Sequence, residues 1–158
     1  MENSAEYNIT LYTDGASSGK PGPGGYGAIL IWGPHKKELS EGFEHTTNNR
    51  MELLAVIRGL QSLKFQRCNV TVYTDSKYVA DAVEKGWVFQ WEKTGYKNKK
   101  NPDLWSQFLV EYRKHNVKFV WVKGHANNPG NERCDRLAVA ASQNKANLKV
   151  DEGFVKFG

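Results

Sequence analysis

The spacing of apolar and polar residues predicts that the chain opens with three strands. Residues 7–13 (YNITLYT) are rich in β-branched and aromatic side chains, which favour strands. Residues 26–32 (YGAILIW) are almost entirely apolar, as expected for a strand covered on both faces. Residues 37–45 form a weaker third strand. The short connections between the three favour an antiparallel meander.

From residue 47 the apolar spacing becomes helical. In residues 47–65 the apolar positions recur at intervals of three and four, at Leu53, Val56, Ile57, Leu60 and Leu63. The later elements are a strand at 69–74, a helix from Ser76 to about Lys85, a helix capped by Asn101 with Pro102 in its first position, a strand at 117–122 and a helix at 131–143. This order predicts an α/β fold, in which a mixed five-stranded sheet has three antiparallel strands followed by two parallel ones and helices on both faces.

The length of 158 residues suits one domain, so we expect a single domain over residues 1–158. Residues 1–6 and 144–158 show no periodicity, and the C-terminal stretch either packs on the domain or hangs free. No apolar run approaches the ~20 residues of a membrane span, and the N-terminus lacks the order of a signal peptide. The two cysteines form no cluster. We therefore expect a cytoplasmic monomer that uses neither a membrane nor an organic cofactor.

Charge adds a candidate nucleic-acid surface. The net charge is +5, and five lysines but two glutamates lie between Glu84 and Lys100. Aromatic residues alternate with these lysines, and cations for phosphates beside ring faces for bases or sugars are typical of nucleic-acid binding. The alternative is a solvated loop with a few core aromatics. The residues concerned are Trp87, Trp91, Lys93, Tyr96, Lys97, Lys99 and Lys100.

The stretch GPGGYG at residues 22–27 contains the spacing G-x-G-x-x-G but does not predict a dinucleotide site. Such a site needs a strand before the glycines and a helix after them, to hold the pyrophosphate. Here the glycines run directly into a predicted strand. We interpret residues 17–25 (SSGKPGPGG) as a turn between the first two strands.

Four carboxylates occupy positions that suggest a shared site. Asp14 and Asp75 each follow Tyr-Thr at the predicted end of a strand, whereas Glu52 and Asp135 are predicted in the first turns of helices, beside the apolar stripes. Each has an ordinary alternative as a turn residue, a cap or a partner of the helix dipole. Together they could converge, and a crowded carboxylate cluster requires cations. Oxygen ligands select Mg²⁺ or Mn²⁺, and two such ions promote phosphodiester cleavage.

His125 lies in a loop rich in Gly, Asn and Pro before the last helix. An imidazole with an ordinary pKa near ~6.5 suits proton exchange at neutral pH. The alternative is a solvated loop histidine without a chemical role.

Six stretches resemble bacterial ribonuclease HI in order and spacing, across residues 7–143. They are TDGASSGKPGPGGYGAIL, TTNNRMELLAVI, TDSKYV, DLW, WVKGHA and NERCDRLA. The resemblance implies the ribonuclease H-like fold and divalent-metal cleavage of the RNA strand of RNA–DNA hybrids, leaving 5′-phosphate and 3′-hydroxyl ends. It implies that Asp14, Glu52, Asp75 and Asp135 are catalytic and hold the metal, with Asp14 bridging two ions. It also implies that His125 helps to activate water or release product.

The resemblance also implies where the hybrid binds. Contacts to RNA 2′-hydroxyls fall around Ser17, Asn48 and Glu52, and a DNA-phosphate pocket falls at Thr47 and Asn101, with Gly15 nearby in the turn. Asn49 and Trp87 match the DNA channel, the segment with Trp91, Lys93, Tyr96, Lys97, Lys99 and Lys100 matches a basic protrusion, and Lys20 and Lys77 replace Asn and Gln near the substrate. Two alternatives stay open, namely a hybrid-binding module without catalysis and a DNA-directed nuclease of the same fold.

Overall fold

The computed structural model describes residues 7–124 and 127–157 of the chain. Its strands are β1 (Asn8–Ser17), β2 (Gly22–Trp32), β3 (His35–Thr46), β4 (Asn69–Thr74) and β5 (Asn116–Trp121). Its α-helices are α1 (Asn48–Gln61), α2 (Lys77–Glu84), α3 (Trp87–Lys93), α4 (Pro102–Tyr112), α5 (Pro129–Gln143) and α6 (Glu152–Phe157). Of these, α6 lies in the stretch where the sequence shows no periodicity.

The strands form one five-stranded sheet in the order β3-β2-β1-β4-β5. The pairs β1–β2 and β2–β3 are antiparallel, whereas β1–β4 and β4–β5 are parallel. The predicted α/β fold with its mixed sheet is therefore confirmed, including three antiparallel strands followed by two parallel ones.

Successive residues of β1 contact helices on opposite faces of the sheet, because side chains alternate along a strand. Leu11 packs on α1, where a Cβ placed on Gly59 would lie 2.7 Å from the Leu11 side chain. Tyr12 packs on α5, where a Cβ on Gly130 would lie 2.5 Å from the Tyr12 ring. The sheet is thus enclosed between α1 and α5, and the buried rings of Trp105 and Phe108 in α4 extend the core beside α1.

The predicted turn between the first two strands is confirmed, but it is shorter than residues 17–25, because Ser17 ends β1 and Gly22–Gly25 lie inside β2. The turn is made by residues 18–21, and Ser17 pairs with Gly24 across it. A Cβ on Gly27 would lie 2.3 Å from the carbonyl oxygen of Cys134, and one on Gly25 would lie 2.6 Å from that of Ala138. Glycine is needed here because the backbone of α5 rests directly on β2.

The helices α1 and α5 begin so early that Glu52 and Asp135 lie beyond their first turns, where the helix dipole acts only weakly on a carboxylate. Thr47 caps α1, since its hydroxyl accepts a hydrogen bond from the backbone nitrogen of Arg50, and Glu52 then lies beyond the first turn. The helix α5 begins at Pro129, which places Asp135 beyond the first turn as well. The predicted first-turn positions are wrong, and neither the helix dipole nor a capping box accounts for these two carboxylates.

Asn101 occupies the N-cap position of α4 as predicted, but its side chain does not cap the helix. The Asn101 backbone is left-handed, with φ 61°, and its side chain makes no capping hydrogen bond, although Pro102 does occupy the first helical position. Instead the Asn101 side chain accepts from Arg50 Nη1 at 3.2 Å and donates to the Tyr78 hydroxyl at 3.0 Å. The left-handed backbone therefore turns this amide toward α1 and α2.

The segment after α5 packs on the domain. Lys149 pairs with Phe43 in parallel orientation, and the Asp151 carboxylate lies against the buried Arg50. Within residues 7–124 and 127–157, no helix is long and apolar enough to cross a bilayer.

Candidate active site

Asp14 lies within β1 and not at its end as predicted, but it stands where the parallel pairing stops. The last pair between β1 and β4 is Tyr12–Tyr73, while β1 continues along β2 with Asp14 opposite Gly27. The strand β4 ends one residue before Asp75. Asp14 and Asp75 therefore lie together at the point where the two strands separate, and Asp14 is only 2% exposed.

Glu52 is brought to the same point by the close approach of α1 to β1. A Cβ on Gly15 would lie 2.4 Å from the backbone nitrogen of Glu52 and 2.5 Å from the carbonyl carbon of Met51. Only glycine allows this contact between helix and strand. Gly15 therefore lies in β1 beneath α1, and the prediction that placed it in a turn is wrong.

The three carboxylates converge. Asp14, Glu52 and Asp75 each offer an oxygen, and these oxygens all lie within 4.8 Å of one another. Burial, followed by the charges of Asp75 and Asp135, raises the pKa of Asp14 to about 8. Burial, followed by the charges of Asp14 and Asp75, raises the pKa of Glu52 well above its usual value. This cluster resists ionisation until a cation compensates it.

Asp135 flanks the cluster from α5. Its charge raises the pKa of the Asp14 carboxyl, whereas the set of oxygens within 4.8 Å contains only the other three acids. The structure thus brings all four predicted carboxylates to one place, with Asp135 at its margin. His125 lies outside the described residues.

Asp75 is held by a residue for which sequence reasoning found no functional role. The indole nitrogen of Trp121 donates to the backbone carbonyl of Asp75 at 3.0 Å, and the Lys77 ammonium lies 5.1 Å from the centroid of the same ring. Trp121 itself is 43% exposed. Its position at the very end of β5, opposite Thr74, is the signal that could have revealed this contact.

A pocket lined mainly by polar residues lies at the start of α1, one helical turn before Glu52. It has a volume of about 550 Å³ and is lined by Lys20, Thr47, Asn48, Asn49, Lys100, Asn101 and Phe154. A neighbouring pocket of about 340 Å³ is lined by Asn49, Tyr78, Trp87, Trp91, Asn98, Lys99, Lys100 and Asn101. The two share Asn49, Lys100 and Asn101, so they form one groove, which we call the basic groove. Ser17, at the end of β1, is half-buried.

The basic segment fits both interpretations made from the sequence. Its aromatic residues pack in part on the core, since Trp91 meets Trp105 edge-on with ring centroids 5.7 Å apart and Tyr96 is half-buried. Its lysines Lys93, Lys97, Lys99 and Lys100 are exposed, and so is Trp87 at 45%. The segment therefore exposes its lysine side chains, while Trp91 and Tyr96 attach it to the core.

The sequence of this chain matches a known protein family and several named proteins. The family model described as RNase H matches residues 6–143, most of the chain. The chain belongs to the RNase H family. A ribonuclease H from Desulforamulus reducens is 57% identical over 155 residues, which cover 95% of this chain and 96% of that protein. A ribonuclease HI from Synechocystis is 53% identical over 156 residues, with 95% and 96% covered. As a member of this family, the protein is a ribonuclease H enzyme.

Solved RNase H structures share the fold. LC9-RNase H1, described as a type 1 RNase H with the type 2 active-site motif, is 31% identical with a TM-score of 0.78, covering 86% of this chain and 72% of that one. The N-terminal RNase H domain of a Mycobacterium tuberculosis protein is 27% identical with a TM-score of 0.72, covering 89% and 96%. LC11-RNase H1, solved in complex with an RNA/DNA hybrid, matches in fold at 24% identity and a TM-score of 0.63, covering 87% and 99%.

Proposed function

We propose that this RNase H-family protein is an endonuclease that hydrolyses the RNA strand of RNA–DNA hybrids, leaving 5′-phosphate and 3′-hydroxyl ends. The observation that carries the proposal is the convergence of Asp14, Glu52 and Asp75 within 4.8 Å. The basic groove beside them supports it, because cations and exposed rings suit a nucleic-acid backbone and its bases.

The carboxylate cluster fits a hard divalent cation, Mg²⁺ or Mn²⁺. Its donors are all carboxylate oxygens, and among the described residues none gives a hydrogen bond to the buried Glu52 Oε1. Asp14, Glu52, Asp75 and Asp135 would hold two such ions, and Asp14 neighbours the other three carboxylates. When bound, the ions would supply an activated water and stabilise the leaving oxygen.

The chain's own residues would bind and orient the substrate. The Thr47 hydroxyl accepts a hydrogen bond from the Arg50 backbone nitrogen, so its own hydrogen can be donated to a DNA phosphate. The Asn101 amide donates one N–H to the Tyr78 hydroxyl, and its second N–H can be donated to the same phosphate. Ser17, Asn48 and Glu52 would contact RNA 2′-hydroxyls, which distinguish RNA from DNA. Lys77 and the basic segment would hold phosphates. His125 would transfer a proton, as its place in the sequence implies.

We further propose a single-domain monomer that acts in the cytoplasm without an organic cofactor. The large exposed apolar side chains of the described residues lie on separate elements and not in one patch, namely Trp87, Val110, Trp121, Val150 and Val155. Both cysteines are buried and free, which suits a reducing compartment.

A strand-resolved assay tests the proposal. A hybrid labelled first on RNA and then on DNA is incubated with Mg²⁺, alongside all-DNA and all-RNA duplexes. We expect fragments of the RNA strand of the hybrid alone, and ligation after cleavage would identify their 5′-phosphates. Binding without cleavage would favour the non-catalytic module. Cutting of the all-DNA duplex would favour the DNA-directed nuclease.

A further inference from the structure

The C-terminal segment, residues 144–157, lies beyond the part of the chain that the family model matches, yet it is built into the fold. The Glu44 nitrogen donates to the Lys149 carbonyl and the Lys149 nitrogen donates to the Gly42 carbonyl, both at 2.8 Å. These bonds extend the outer edge of β3. They deliver the next residues to the start of α1, where the basic groove begins.

Asp151 then meets Arg50, whose side chain is 1% exposed. Its carboxylate accepts from Arg50 Nε at 2.8 Å and from Nη2 at 3.0 Å, and also from the Thr46 hydroxyl at 2.7 Å. Asp103 accepts from Nη1 at 3.0 Å and from Nη2 at 2.7 Å. Two paired carboxylates thus hold one buried guanidinium by fork-like hydrogen bonds, which resist rotation.

The remaining N–H of Arg50 reaches the basic groove. Nη1 donates to Asn101 Oδ1 at 3.2 Å, so all five N–H groups of the guanidinium are used. The backbone nitrogen of the same residue donates to the Thr47 hydroxyl at 3.3 Å. Arg50 therefore orients two polar side chains of the groove without lining it.

Asp151 also places an apolar wall on the groove. Its carbonyl and its Oδ1 accept from the Phe154 backbone nitrogen at 3.1 and 3.2 Å, which starts α6. The Phe154 ring lines the 550 Å³ pocket with Thr47 and Asn101 and meets His45 edge-on at 5.3 Å. Asp151 thus holds the Arg50 guanidinium through its carboxylate and also fixes the backbone that carries the Phe154 ring.

We propose that the C-terminal segment is part of the substrate-binding surface. Asp151 and Arg50 are positioning residues that fix Thr47 and Asn101 for a phosphate of the uncleaved DNA strand, and Phe154 forms the wall beside it. The inference rests on the proposed function, because it needs a hybrid in the groove. It adds a determinant of hybrid affinity from outside residues 6–143.

The test compares Asp151→Asn and Phe154→Ala with two control variants. Val155→Ala changes the neighbouring residue of α6, which is 76% exposed and does not line the groove. Val117→Ala lies in β5 and lowers stability without touching the groove. All are assayed well below their melting temperatures. We expect Asp151→Asn and Phe154→Ala to raise KM for the hybrid about threefold to tenfold, with kcat within about twofold of the unmodified chain.

A substrate with one neutral phosphate shows whether the effect passes through the pocket. Methylphosphonates are placed singly along the DNA strand, and we expect one position to raise KM for the unmodified chain but not to add to the Asp151→Asn defect. Additive effects at every position would overturn the inference, as would equal changes in KM and kcat in Asp151→Asn and Val117→Ala. If the unmodified chain leaves hybrids uncut, the proposed function falls as well, whereas normal cleavage by Asp151→Asn removes this inference alone.

Discussion

The backbone nitrogen of Glu52 lies 2.4 Å from the point that a Cβ on Gly15 would occupy. This contact between a strand and a helix holds one carboxylate of the cluster beside Asp14. The atoms in the way belong to the backbone of α1, so they cannot move as a flexible side chain would. Gly15 thus determines the depth at which α1 sits on β1.

We therefore expect Gly15→Ala to displace α1 and with it Glu52. A shift of about 1 Å in a catalytic group can cost about 100-fold in rate, so kcat should fall by at least about tenfold. Stability should fall by about 1–3 kcal/mol because the core is overpacked. Steady-state kinetics and urea denaturation measure the two effects. Gly33→Ala is the control for kcat: its space is open, so it should lose stability through its φ of 57° but keep kcat, whereas a Gly15→Ala variant with unchanged kcat would contradict this account.

The raised pKa of Asp14, about 8, gives a prediction for the metal-free protein. An unfolded aspartate titrates near ~3.9, so between about pH 4 and pH 8 the folded state binds more protons than the unfolded state. Stability without metal should therefore fall as pH rises through that window. Asp14→Asn should raise the stability of the metal-free protein at pH 8, by an amount on the order of 1–3 kcal/mol. Thermal melts in chelator from pH 5 to pH 9 test this, and a destabilised variant at pH 8 would count against a repulsive cluster.

Asp151 gives the opposite pH dependence. Burial alone would raise its pKa, but hydrogen bonds from Arg50 and Thr46 outweigh burial and hold the pKa below its usual value. Its contribution to stability is fully present above the unfolded pKa of ~3.9 and is lost as pH falls through the lower folded pKa. Asp151→Asn should cost about 2–4 kcal/mol at pH 7, because it leaves Arg50 with one carboxylate partner.

Urea denaturation of both proteins at pH 7, 5, 4 and 3 measures that difference. It should be constant down to about pH 5 and should shrink below about pH 4. A difference that stays unchanged at pH 3 would show that the charge of Asp151 contributes nothing. Glu92→Gln, which removes an exposed carboxylate paired with Arg113, is a surface control for which only a small loss is expected.

Trp121 gives a prediction for metal binding. Trp121→Phe removes the indole N–H that holds the Asp75 carbonyl and keeps an aromatic ring under Lys77. We expect the Mg²⁺ concentration for half-maximal activity to rise about threefold to tenfold, with little change in KM for the hybrid. Trp87→Phe, in the basic groove, should instead raise KM for the hybrid and leave the Mg²⁺ concentration for half-maximal activity unchanged. Unchanged Mg²⁺ dependence in Trp121→Phe would remove its positioning role.

Local patterns were sufficient for most of the fold. The strand predicted at residues 69–74 has the same bounds as β4, and the helical apolar stripe from Leu53 to Leu60 is buried in α1. These elements could be predicted because the spacing of apolar residues identifies the positions that are buried between the sheet and its helices. Each of the four carboxylates had an ordinary alternative, and they could be selected only jointly, because their positions at strand ends and beside apolar helix stripes suggested one shared site.

The features that sequence patterns missed depend on contacts between distant parts of the chain. Gly25 resembles a turn residue until α5 is seen resting on it. Arg50 and Asp151 are 101 residues apart, and no local period links them. Asn101 stands at the N-cap position, but its side-chain amide is hydrogen-bonded to Arg50 and Tyr78 and not to the backbone of α4.

The most direct test of the central claim is the rate at which Asp14→Asn cleaves the RNA strand of a hybrid across a range of Mg²⁺ concentrations. Glu111→Gln is the control, because Glu111 is paired with Lys114 and lines neither the carboxylate cluster nor the basic groove. The account predicts Mg²⁺-dependent cleavage by the unmodified chain and by the control, and a loss of at least about 1,000-fold in Asp14→Asn with hybrid affinity within about threefold. Cleavage by Asp14→Asn at the unmodified rate, or cleavage by the unmodified chain in excess chelator, would contradict it.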